Sequence, residues 1–335
     1  MAPDSRGGCE GAPTGKHSCR IADGARHEDT MRQSAEAWRE CILRPDTLVE
    51  VGVVGTATNV QTTPVSSPIG VAPSGFHGLS HPEAQAASAG AAAEIEMLFV
   101  LSSRSTLQIE QVTPHCGNLW HQAYVIRDRD LTAAMVERAT AAGARALVLT
   151  VNAPVLGLRR RSRDAALVDR AVLEVKAGKV NNLCVLEQSP CVTLADILWP
   201  QSVCGLPVFV KGVLRGDTAS RCVDAGASAE SVSNHGGRPL DGAVSMASAL
   251  VEVMDGVEVY EDGGVGSGTD VLRAVAIGAR AVFLRRPPLW GLAVNGRAGV
   301  AAVLTRYQTE LEMAMRLTGR ANLPGLGRDL IAGMS

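Results

Sequence analysis

Apolar residues gather in short runs along the chain, near 69–73, 98–102, 120–126, 146–150, 207–211, 230–234, 257–262 and 281–285. Each run has strand length, and helical segments separate them. Three of those helices end alike, at Gly143, Gly226 and Gly278, each followed at once by an apolar run. Glycine just past a helix takes the left-handed conformation that stops it. Strands alternating with helices predict an α/β fold with parallel pairing and right-handed crossovers. Eight such units are the number that closes naturally into a barrel. Ahead of them, Met31, Ala35, Trp38 and Ile42 recur at helical spacing, and Pro45 follows. That spacing predicts an N-terminal helix over 28–43. Residues 1–17 are rich in Gly, Pro, Ser and charge and are expected to be disordered, leaving 18–335 as one domain. The connection from Asn152 to Pro207 is far longer than a usual strand-to-helix loop, which predicts a lid after the fourth strand.

Composition narrows the picture. Of 335 residues, 46% are hydrophobic and 20% charged, with a net charge of −2. No nucleic-acid or membrane partner is expected from that balance. No apolar run is long enough for a transmembrane helix. The first residues lack the apolar core of a secretory leader, and the last, Ala-Gly-Met-Ser, do not form a peroxisomal address. Cysteines at 9, 19, 41, 116, 184, 191, 204 and 222 form no C-x-x-C pair, so neither a metal site nor a disulfide framework is expected. A cytoplasmic or other reducing compartment fits better.

The candidate chemistry lies where the strands end. The run Ser233-Asn-His-Gly-Gly-Arg-Pro-Leu-Asp241 puts a histidine and an arginine on one tight loop. His235 can take a proton near neutral pH, and Arg238 offers a fork that matches a carboxylate. Together they suit a small acid that must lose a proton. Lys211 ends a buried apolar strand and needs an anion partner. Asp262-Gly-Gly-Val-Gly-Ser-Gly opens a helix, and its backbone N–H groups can approach a phosphate. No G-x-G-x-x-G opens a strand–helix–strand unit, which argues against NAD or FAD.

Several of these stretches together resemble the FMN-dependent 2-hydroxy-acid oxidases and dehydrogenases, the glycolate oxidase and lactate oxidase family. The likeness runs from about Gly24 to Ile331. It carries S-N-H-G-G-R-x-L-D, D-G-G-V-x-x-G-T-D over Asp262–Asp270, and Phe283-Leu-Arg-Arg-Pro. Leu119-Trp-His-Gln-Ala-Tyr-Val, Thr150-Val-Asn-Ala-Pro and Ala72-Pro-Ser-Gly match further family motifs in order. The resemblance implies closure into a (β/α)8 TIM barrel and FMN as cofactor. Flavin contacts are implied for Pro73, Ser74, Gly75, Ser102, Gln122, Thr150, Lys211, Ser233, Asp262, Gly263 and Gly264. Arg286 matches the phosphate arginine, with Arg285 beside it. His235 is the implied base, Asn152 stands at its partner position, and Tyr124 holds the substrate with Arg238 and Arg159. The implied reaction takes an L-2-hydroxy acid to a 2-oxo acid, with dioxygen or another acceptor, in a homo-oligomer, by analogy a tetramer.

Five positions depart from the family pattern. Asn152 stands where an aspartate pairs with the histidine; Arg104 and Arg20 replace pocket aromatics; Gly266 replaces a phosphate arginine; Arg285 replaces a glycine. Arg285 either crowds the phosphate or supplies the charge lost at Gly266. These departures carry an alternative: an impaired member serving as a flavin-binding or structural subunit. They also fit an active enzyme on a more anionic acid.

Overall fold

The computed structural model describes residues 21–160, 187–253 and 257–334. Eight strands close into a barrel: β3 (Ile69–Val71), β4 (Leu98–Ser102), β5 (Asn118–Ala123), β6 (Leu147–Thr150), β7 (Val208–Val213), β8 (Ala229–Val232), β9 (Glu258–Glu261) and β10 (Ala281–Leu284). Every neighbouring pair is parallel, and β10 returns to β3 to shut the ring. The main intervening helices are α2 (Ala84–Glu94), α3 (Arg129–Ala141), α4 (Leu198–Cys204), α5 (Gly216–Asp224), α6 (Met246–Val253) and α7 (Gly268–Ile277). The last, α8 (Arg286–Leu317), is kinked at Asn295–Gly296. Gly143, Gly226 and Gly278 have φ of 87°, 96° and 132°, so the three expected helix stops are made as the sequence predicts.

A short antiparallel hairpin precedes the ring, β1 (Thr58–Val60) and β2 (Thr63–Val65). Its Val60 and Val65 join the cluster inside the barrel, with Leu98, Val100, Trp120, Val148, Phe209, Tyr260 and Phe283. Trp120 packs at a tilt against Phe209 with ring centroids 4.7 Å apart, and Tyr260 meets Phe283 edge-on at 5.8 Å. A chain with few aromatics spends four rings filling its barrel. Side chains alternate along each strand. The parity that puts Trp120, Phe209 and Tyr260 inside therefore carries inward Gln122, Lys211 and Asp262 further along. Each of these strands turns from apolar to polar as it reaches the C-terminal mouth.

The N-terminal helix α1 runs Asp29–Glu40 and stops short of the expected 43. Ile42, assigned to its apolar stripe, is 59% exposed. The residues α1 buries are Thr30, Ser34 and Trp38, while Met31 and Ala35 face a cavity at the barrel mouth. Trp38 Nε1 donates to the Gly263 carbonyl at 3.0 Å, so α1 buttresses the glycine turn after β9. The central part of the expected lid, 161–186, lies outside the described residues, as do Arg20 and the stretch 1–17. Where the chain reappears, Gln188 bridges to Ile126 beside the end of β5.

Candidate active site

His235 stands at the wall shared by two cavities. The larger, about 390 Å³, takes in Pro73, Gln122, Thr150, Lys211, Asp262, the 263–266 turn, Arg285 and Arg286. The smaller, about 80 Å³, takes in Ser74, Gly75, Ser102, Arg104, Arg159, Arg238 and Gln188. Pro73, Tyr124, His235 and Arg285 belong to both. Residues from all eight expected strand ends thus meet in one place.

The loop after β8 is tightly wound. His235, Gly236 and Gly237 all have positive φ, at 57°, 66° and 70°. For a histidine this is a strained backbone, held by the packing around it. A Cβ on Gly237 would lie 2.9 Å from the Met31 amide nitrogen, so α1 fits only against glycine. Asp241, which ends the motif, caps α1 instead of joining the cavity: its carboxylate accepts from His27 N at 2.9 Å and Thr30 N at 3.0 Å. Asn234 ties the same loop down through Ser34 Oγ at 2.8 Å.

Asn152 meets His235 directly. Its Nδ2 donates to the Ser233 carbonyl at 2.8 Å, which turns Oδ1 toward His235 Nδ1, 3.1 Å away. An amide oxygen only accepts, so Nδ1 carries the hydrogen and Nε2 keeps its lone pair. Burial holds the imidazole pKa well below its usual value, and the charges of Lys211, Arg238, Arg285 and Arg159 push the same way. The histidine is therefore neutral at pH 7. Room for Asn152 comes from Gly212, at φ 113° in a bulge of β7, where a Cβ would lie 2.4 Å from Asn152 Cγ.

Lys211 Nζ pairs with Asp262 Oδ2 at 2.5 Å and donates to Ser233 Oγ at 2.8 Å. Asp262 is the anion that the buried lysine required. Ser233 Oγ also accepts from His235 N at 3.0 Å. Ser233 is fully buried behind the cavity and positions both the lysine and the histidine. Ser102 Oγ donates to Gln122 Oε1 at 2.8 Å, which leaves Gln122 Nε2 buried with no partner among the described residues. Ser74 is bonded to His77 and, with Gly75 and Ser102, lines the smaller of these two cavities and not the larger.

The two carboxylate-matching arginines sit on touching loops: a Cβ on Gly157 would lie 2.2 Å from the Arg238 carbonyl. Arg159 Nη1 is buried without a hydrogen-bond partner among the described residues. Arg238 Nη1 is held by Asp23 Oδ1 at 2.7 Å, a buried ion pair at the entrance to α1. The sequence reading missed Asp23, since nothing in a single Ala-Asp-Gly marks it. Nor did it find Trp290 and Tyr307, which line the larger cavity from α8.

The larger cavity fits an FMN. Its volume is in the range that cofactors occupy. Gln122 Nε2 is a buried donor on its wall with no partner among the described residues. At Gly264, φ 77°, a Cβ would meet the Ser34 carbonyl at 2.5 Å, so the turn that lines the cavity is fixed by glycine. The Arg286 guanidinium lines this end but also bonds the carbonyls of Ile21, Asp23 and Gly236, the last at 2.7 Å. Burial and the neighbouring Arg238 lower its pKa to about 10. Arg285 reaches both cavities, and its charge acts on His235 and His77.

The family described as FMN-dependent dehydrogenase matches residues 16–333. An L-lactate oxidase of Nostoc sp. is 42% identical over 324 residues, covering 90% of this chain and 89% of its own. A peroxisomal (S)-2-hydroxy-acid oxidase of Oryza sativa subsp. japonica is 39% identical over 316 residues, 89% of this chain and 86% of its own. Among solved structures, an active mutant of (S)-mandelate dehydrogenase superposes with a TM-score of 0.87 at 28% identity, over 96% of this chain and 95% of its own. A flavocytochrome b2 double mutant with pyruvate bound superposes with a TM-score of 0.86 at 30% identity, over 94% and 82%.

Proposed function

The chain belongs to the FMN-dependent dehydrogenase family, and from that premise we propose that it oxidises a small L-2-hydroxy acid to the 2-oxo acid with dioxygen as acceptor. The observation that carries this reading is the place of His235, between a cofactor-sized cavity and a small arginine-lined one. Arg159 and Arg238 bind the substrate carboxylate. Tyr124, on both cavities, orients the hydroxyl carbon with them. His235 Nε2 takes the proton that leaves the substrate, and Asn152 holds Nδ1–H so that Nε2 stays the basic nitrogen. FMN, when bound, supplies acceptance of the two electrons and their passage to dioxygen. Pro73, Gln122, Thr150, Lys211, Asp262, the 263–266 turn and Arg286 would hold it, with Lys211 presenting a fixed positive charge.

Cofactor release followed by mass spectrometry is expected to yield FMN. Aerobic incubation with L-2-hydroxy acids is expected to give 2-oxo acid and hydrogen peroxide in equal amounts; neither product from any such acid would overturn the assignment. By analogy with its family the protein is a homotetramer, which light scattering after size exclusion checks.

A further inference from the structure

The small cavity beside His235 carries more positive charge than a monocarboxylate uses. Arg104, Arg159, Arg238 and Arg285 line it, and no aspartate or glutamate does among the described residues. Arg159 and Arg238 already serve one carboxylate under the reading above. Asp23, the acid paired with Arg238, is fully buried. Arg285 also faces the cofactor cavity. Arg104 is the remaining cation.

Its position is fixed by the backbone. Arg104 N donates to Ser102 Oγ at 3.2 Å, and its carbonyl accepts from Phe76 N at 3.1 Å. A Cβ on Gly75 would lie 2.9 Å from that carbonyl, so the two segments are in close contact. The guanidinium carbon lies 5.4 Å from the centre of the Tyr124 ring. No described carboxylate lines the cavity beside it. A guanidinium placed against an aromatic face, in a cavity that no described acid lines, is matched by an anion that arrives with the ligand. At about 80 Å³ the cavity is the smaller of the two and suits a short acid.

We propose that the preferred substrate is a short L-2-hydroxy dicarboxylic acid, with its first carboxylate on Arg159 and Arg238 and its distal carboxylate on Arg104. The inference rests on the proposed hydroxy-acid oxidation and names the substrate class of that site. The reaction is unchanged: the hydroxyl carbon loses two electrons and becomes a ketone, and the distal carboxylate takes no part.

Two measurements on the FMN-loaded enzyme test it. The first is kcat/KM for L-malate against L-lactate, glycolate and (S)-mandelate. L-Malate is expected to lead by about tenfold or more, and Arg104→Met is expected to reduce the malate-to-lactate ratio by about tenfold or more, the worth of a charge-assisted bond. The second is binding of oxaloacetate against pyruvate, read from the flavin spectrum. Wild type is expected to prefer the diacid, Arg104→Met to lose the preference and Arg104→Lys to keep part of it. A preference for a monocarboxylate, or a ratio that Arg104→Met leaves in place, overturns the proposal. Should no hydroxy acid reduce the flavin, the oxidase reading fails and the binding measurement alone decides. Loss of diacid preference in Arg104→Met then upholds the pocket assignment, and equal binding of both oxo acids overturns it.

Discussion

Asn152 and His235 form a base assembly with no negative charge behind it. The amide orients the imidazole, but an imidazolium formed there meets only cations: Lys211, Arg238, Arg285 and Arg159 all disfavour it. Asn152→Asp is expected to raise the histidine pKa and speed flavin reduction by about tenfold or more, about 1.4 kcal/mol of barrier. The acid limb of the rate profile should move to higher pH in the variant, because a base with a higher pKa is protonated sooner as pH falls. Stopped-flow reduction across pH measures both. An unchanged rate and profile would remove Asn152 from the mechanism. His235→Ala and Arg238→Ala should both abolish reduction but differ in ligand binding. The first keeps a bound 2-oxo acid; the second loses it and also leaves Asp23 buried without its partner. Titration with a 2-oxo acid separates them, and equal loss of binding contradicts the assigned roles. These residues were legible in sequence because a histidine, two glycines and an arginine on one loop are unusual together. Asp23 and Gly212 were not, since each acts through a neighbour far away along the chain.

At the scale of elements, the strands were legible from their apolar runs, and the helix stops from their glycines. The hairpin Thr58–Val65 was not, because three-residue strands with one apolar side chain inward carry too little pattern. Two strand residues contradict their surroundings. Glu230 in β8 and Glu261 in β9 face the helix layer and are wholly buried; the Glu230 carboxyl has no hydrogen-bond partner among the described residues, and only the Gly263 backbone acts as a donor toward that of Glu261. Burial raises the Glu230 pKa to about 7 and lifts that of Glu261 well above the carboxylate range, helped by Asp262. A carboxyl whose folded pKa exceeds its unfolded one binds its proton more tightly when folded. Stability from these groups is therefore full below the ordinary glutamate pKa and declines as pH rises through about 7. Thermal melts should show a higher Tm at weakly acidic pH than at alkaline pH. Glu230→Ile and Glu261→Leu should each add about 1–3 kcal/mol at neutral pH and flatten that slope. A variant that melts lower at every pH would show that the carboxyl has a partner after all.

For the whole molecule, the barrel does two tasks with few aromatics. Trp120, Phe209, Tyr260 and Phe283 fill its interior, and Trp120→Ala should destabilise by about 3–5 kcal/mol, measurable by denaturant unfolding. The mouth is left to polar and cationic side chains, which is why the strand-end residues, and not aromatics, mark the site in the sequence. At the phosphate turn, a Cβ on Gly266 meets nothing nearer than Asp270 Oδ2 at 3.6 Å, so an arginine has room there. Gly266→Arg should tighten FMN by about tenfold, one added charge-assisted pair; equilibrium dialysis that shows no gain would place Arg285 as the compensating cation. The central claim is that His235 takes a proton from a hydroxy acid held between two arginines and a bound flavin. Anaerobic mixing of the FMN-loaded enzyme with L-2-hydroxy acids tests it most directly. The visible flavin absorbance is expected to bleach with an L-acid, not with its D-enantiomer, and not in His235→Ala. A flavin that binds yet stays oxidised with every L-2-hydroxy acid would contradict the account.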